Sequence, residues 1–101
     1  MNKSKHKKWQ RDGCAILNTV PGYAGPASVS WNIVATSYCT GEIHISDCSS
    51  CTCLDLSFHT KDSLTNSVKK IDILIEELKK AKKAMKLGHE VHMSRKEEEK
   101  Q

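Results

Sequence analysis

Residues 42–59 read EIHISDCSSCTCLDLSFH. Ile43 and Ile45 share one parity before the paired serines, and Leu54, Leu56 and Phe58 share one parity after them. Alternation of this kind on both sides of a short polar break is the pattern of two half-buried strands joined by a tight turn. With Ser49-Ser50 as a two-residue turn, Ile45 falls opposite Leu54, Ile43 opposite Leu56, His44 opposite Asp55 and Cys48 opposite Cys51. The apolar residues then meet on one face, as a half-buried sheet requires.

The same logic extends upstream. Val29, Trp31, Ile33 and Ala35 occupy one parity in SVSWNIVATSY, so residues 28–38 are expected to form a strand. A three-residue loop Cys39-Thr40-Gly41, with Gly41 at the positive-φ position of a bulge, brings Ala35 opposite Ile45 and keeps the apolar parity aligned. Three consecutive strands over 28–38, 42–48 and 51–59 make an antiparallel meander the economical topology. Further upstream, the prolines and glycines of PGYAGPAS mark a loop, and GCAILNTV suits a fourth, edge strand.

After His59 the periodicity becomes helical. Leu64, Val68, Ile71, Ile75, Leu78 and Met85 recur at spacings of three, four and seven, with Leu74 and Ala81 beside them and lysines opposite. Asp62 or Ser63 can cap the start and Gly88 is a natural stop, which predicts a helix over 62–87. The expected fold is therefore α+β: a three- to four-stranded antiparallel meander followed by one long amphipathic helix packed on one sheet face. Residues 1–12 are expected to be a flexible basic arm, 13–88 a single domain, and 89–101 a charged, frayed tail.

The predicted helix is about 35 Å long at ~1.5 Å per residue, more than a small sheet can cover. Its second half either meets another subunit or projects into water. In a chain of 101 residues with 38% hydrophobic and 5% aromatic content, self-association is the simplest way to bury more surface, so a homo-oligomer is expected. No apolar run approaches the ~18 residues of a membrane span, and the basic start is not followed by an apolar signal segment. The chain thus reads as a cytoplasmic protein, its five cysteines as thiols.

Three chemistries were weighed for the cysteine cluster. Cys48, Cys51 and Cys53 have chelating spacing, but zinc needs a fourth ligand, and strand geometry puts Cys39 ~20 Å from Cys48 at ~3.3 Å per residue. Cys14, His89 and His92 are other candidates, and zinc stabilisation is the lesser reading. A redox pair would lack the helix N-terminus that lowers a thiol pKa. Small thiols at strand ends are the preferred reading, with no metal and no cofactor.

Candidate binding residues lie in two places. The predicted register lines up Thr36, His44 and Asp55 on the polar sheet face, with Tyr38 beside them, and an open antiparallel sheet wets such a face. Lys79, Lys80, Lys82 and Lys83 form a basic helical patch suited to an anionic partner. No phosphate loop, HExxH motif or nucleophile elbow occurs, so no catalytic residue is assigned and the protein is expected not to be an enzyme. By elimination the expected role is stoichiometric binding or inhibition. A viral or mobile-element accessory protein of anti-defence type, capturing a host protein or a small anionic ligand such as a signalling nucleotide, would suit so short a chain. The alternative is a nucleic-acid binder using the basic arm and lysine face, although arginines number only two, Arg11 and Arg95.

Overall fold

The computed structural model describes residues 8–23 and 25–100. Four strands, β1 (Trp9–Ile16), β2 (Ala27–Ala35), β3 (Cys39–Asp47) and β4 (Ser50–Ser57), pair antiparallel in chain order, and one helix, α1 (Lys61–Lys100), follows. The fold is α+β, a meander and then a long helix. The chain divides into two compact units, Met1–Ser67, which holds the sheet and the first turns of α1, and Val68–Gln101.

The alternation assigns the apolar residues of β2, β3 and β4 to one face, as observed. Gly13, Trp31, Ile43 and Leu54 form one cross-strand row, flanked by Ala15, Val29, Ile45 and Thr52 and by Arg11, Ile33, Gly41 and Leu56. Two glycines in these rows make room for large neighbours. A Cβ on Gly13 would lie 2.5 Å from Trp31 Nε1, and one on Gly41 would lie 2.5 Å from Ile33 Cδ1. Gly41 thus belongs inside β3 beneath Ile33, and the positive-φ bulge expected of it does not form.

Both hairpin registers differ from expectation by an even number of residues. The second turn is Cys48-Ser49, closed by Asp47 opposite Ser50, so Ile43 meets Leu54 and Ile45 meets Thr52. Cys48 takes a φ of 55°, and its N–H donates to the Pro26 carbonyl at 2.7 Å. Pro26 has no N–H of its own to give, but its carbonyl holds the turn against the strand entering β2. Cys48 and Cys51 are therefore not cross-strand neighbours; Cys51 pairs with Ser46.

In the first hairpin the loop is Thr36-Ser37-Tyr38, with Ala35 opposite Cys39. The Thr36 hydroxyl accepts the Tyr38 N–H at 3.3 Å, and the Thr36 N–H donates to the Tyr38 carbonyl at 2.8 Å. A threonine that captures the backbone two residues on makes its own turn. This ends β2 three residues before the expected Tyr38 and lets β3 begin at Cys39.

At the N-terminal side, Trp9–Asp12 open β1 and are not part of a free arm, while residues 1–7 lie outside the described residues. The Arg11 guanidinium sits 5.0 Å from the Trp9 ring centroid, a cation–π contact between two same-face residues of the edge strand.

The helix is capped by Thr60 in place of Asp62 or Ser63. Ser63 N–H donates to Thr60 Oγ1 and Thr60 N–H donates to Ser63 Oγ, each at 3.0 Å, a reciprocal capping box. Asp62 contributes its negative charge to the first turn. Gly88 does not end α1, which runs 40 residues to Lys100, so the segment expected to fray is helical. The residues after Gly88 are mostly Glu, Lys, Met, Arg and His without a proline, and their propensity carries the helix past one glycine. No helix among the described residues is long and apolar enough to cross a membrane.

A polar link fastens the start of α1 to the sheet. Ser67 Oγ donates to the Ser57 carbonyl at 2.6 Å and accepts the Ser57 N–H at 2.9 Å. Phe58 N–H instead turns inward to the Cys39 carbonyl at 3.0 Å, so Ser57 presents its backbone to the outer edge of β4. There the buried Ser67 hydroxyl serves as both partners of that residue.

Candidate functional site

The polar face of the sheet gathers groups that the sequence leaves scattered. Its central row is Cys14, Ser30, His44 and Cys53; the row on one side is Asp12, Asn32, Glu42 and Asp55, and on the other Ile16, Ser28, Ser46 and Cys51. His44 stands directly opposite Cys53, and Glu42 directly opposite Asp55. Because side chains two apart on a strand share a face, Glu42 and His44 converge from β3 while Cys51, Cys53 and Asp55 converge from β4.

The contacts are close. His44 Nε2 lies 2.7 Å from Glu42 Oε2, the shortest contact of the group. Cys53 Sγ lies 3.9 Å from His44 Nε2, 3.9 Å from Glu42 Oε2 and 3.6 Å from Asp55 Oδ1. One ligand atom each from Glu42, His44 and Cys53 fall within 4.8 Å of one another.

The protonation states respond to this crowding. Hydrogen bonds to Cys51 and then Glu42 hold the His44 imidazole above its ordinary value. The Ser46 hydroxyl and then His44 hold the Cys51 thiol below its ordinary value. Cys53 is pushed up, first by lost hydration and then by its bond to Asp55. The shifts of His44 and Cys51 run in the direction of an imidazolium beside a thiolate, and that of Cys53 towards the thiol.

The expected grouping of Thr36, Tyr38, His44 and Asp55 does not form. His44 and Asp55 remain on one face but in adjacent rows. Thr36 and Tyr38 lie in the β2–β3 loop, at least ~13 Å from His44 along β3 at ~3.3 Å per residue. Tyr38 is 76% exposed, and it lines a separate cleft of about 450 Å³ with Ser37, Cys39, Thr40, Ser57 and His59. Among the lysines, Lys79 reaches Glu76 at 3.4 Å and Lys80 reaches Glu77 at 3.3 Å. Lys82 and Lys83, with Lys86, keep their charges for solvent or a partner on an exposed stretch of α1.

Glu42, Cys51 and Cys53 are not among the binding residues assigned from the sequence, where Cys51 and Cys53 enter only with Cys48 in the lesser, zinc alternative. A turn centred on Cys48-Ser49 would have placed His44 against Cys53, since the register follows from the turn alone. Comparison of the chain with family models, curated proteins and solved structures finds no match.

Proposed function

We propose that this chain is a stoichiometric binding protein that works as a pair of copies joined along α1, and that it binds rather than turns over its partner. One observation carries the reading. Val68, Ile75, Leu78 and Met85 are 48%, 44%, 56% and 71% exposed, and with the half-buried Ile71 they follow the alternating three-and-four spacing of a coiled-coil seam.

The seam has a readable grammar. Val68 and Ile75 occupy one of its two positions, and Ile71, Leu78 and Met85 the other. Val68 and Ile75 at the first position with Leu78 at the second match the pattern that favours two parallel strands, and Ile71 at the second departs from it. Lys82 falls at the next first-type position, where a single polar residue fixes register and strand number at some cost in stability. A second copy of the chain is the occupant that such a stripe fits.

A paired molecule would present two polar sheet faces and two lysine patches. Lys83 and Lys86 supply positive charge for an anionic partner, a protein surface or a small anionic ligand. The openness of the polar face, where the Glu42 and His44 side chains are 54% and 39% exposed, supports binding more than catalysis, which requires a site that excludes water.

Sedimentation equilibrium of the full chain tests the pairing. Wild type should sediment as a dimer, and the double substitution Ile75→Asp and Leu78→Asp should give a monomer whose sheet signal in circular dichroism is retained. A wild-type monomer throughout the micromolar range, or an unshifted double variant, would overturn it.

A further inference from the structure

The polar face carries a chemistry that pairing along the helix does not use. The structure assigns a zinc-binding site to Cys53, His44 and Glu42, with a solvent molecule completing the shell; we infer that the ion ties β3 to β4.

The donor set is the first argument. Thiolates, an imidazole and a carboxylate are the ligands zinc takes in four-coordinate sites. Calcium and magnesium select all-oxygen shells and would not choose this set.

Geometry is the second. With Zn–S near 2.3 Å and Zn–N or Zn–O near 2.0–2.2 Å, tetrahedral angles separate neighbouring ligand atoms by roughly 3.3–3.8 Å. The Cys53 sulfur already lies 3.9 Å from both His44 Nε2 and Glu42 Oε2. Only the 2.7 Å His44–Glu42 hydrogen bond must open, by roughly 0.6 Å, as a cation replaces the shared proton.

The third argument is charge placement. Like charges directly opposite in an antiparallel pair are destabilising, yet Glu42 faces Asp55 across β3 and β4, and Asp12 extends the acidic row through Asn32. The chain as a whole carries a formal net charge of +4, so three carboxylates in one row stand out on it. A bound dication would offset that repulsion. Asp55, hydrogen-bonded by the Cys53 thiol at 3.6 Å, would be left at the rim of the ion's shell. Loading releases the Cys53 thiol proton and any proton held between His44 and Glu42, so that the imidazole binds in its neutral form.

Cobalt(II) titration of the reduced, chelator-stripped full chain tests the site. The expected result is one cobalt per chain, with thiolate-to-metal charge transfer in the near ultraviolet and the intense visible bands of a four-coordinate ion, both abolished by one equivalent of zinc. Cys53→Ser and His44→Ala should each weaken binding by at least about tenfold, the lower bound for loss of even an outer-shell group. Cys39→Ser and Cys48→Ser, whose residues lie off the cluster, should leave it unchanged. Absence of thiolate charge transfer, full binding by Cys53→Ser, or loss of binding in Cys39→Ser or Cys48→Ser would overturn the assignment. The readout is independent of pairing: the Ile75→Asp, Leu78→Asp monomer should bind cobalt as wild type does.

Discussion

Ser67 completes β4 as a fifth strand would, using a single hydroxyl. Its oxygen both receives the Ser57 N–H and donates to the Ser57 carbonyl, and the residue is 7% exposed. Removing that hydroxyl leaves two backbone groups without a partner in a part-buried position. An unsatisfied buried donor or acceptor costs about 1–3 kcal/mol, more than the net value of the bond itself. Ser67→Ala should therefore lower the unfolding free energy by about that amount. Urea denaturation would report it as a reduced midpoint with an unchanged slope. A change within a few tenths of a kcal/mol would mean that water reaches the β4 edge and replaces the hydroxyl. Nothing in the sequence marks this serine, because its role depends on where β4 ends.

Among the elements, what the sequence disclosed and what it concealed follow from one property of strands. Alternation has a period of two, so it assigns faces and leaves register open to any even slip. Trp31, Ile43 and Leu54 were legible as one apolar face, yet Ile43 was expected opposite Leu56 and Ala35 opposite Ile45, shifts of two and six residues in the pairing sum. The missing information lay in the turns, in the left-handed Cys48 and in the Thr36 hydroxyl that captures Tyr38. The helix concealed its length for a different reason. Gly88 has nothing within 4 Å of where a Cβ would be, so it is neither a close-packing glycine nor a helix stop. At such a position glycine costs about 0.5–1 kcal/mol relative to alanine. Gly88→Ala should consequently raise helicity by circular dichroism and slow amide exchange over residues 84–96. Lost helicity would instead show that the glycine is needed to bend or end the helix.

For the whole molecule, the decisive quantity is how little is enclosed. Among the described residues only Ala27 and Leu56 form the buried apolar core, and no large side chain is fully buried. Domains of this size sit near the margin at which one core suffices, and most helical stability comes from tertiary packing of an amphipathic face. Val68, Ile75, Leu78 and Met85 hold that apolar face open in the C-terminal unit. Pairing should then add to the stability that one chain has alone, the second copy stabilising the native state by mass action. The melting temperature should rise steadily as protein concentration is increased about a hundredfold, a change that adds roughly 2.7 kcal/mol when each tenfold step is worth ~1.4 kcal/mol. Differential scanning fluorimetry on wild type and on the Ile75→Asp, Leu78→Asp variant separates the terms. Wild type should shift with concentration, and the variant should melt lower than wild type at the same concentration and without such a shift. A concentration-independent wild-type transition would mean that a second copy adds nothing to stability, and that the stripe on α1 is reserved for a partner other than itself.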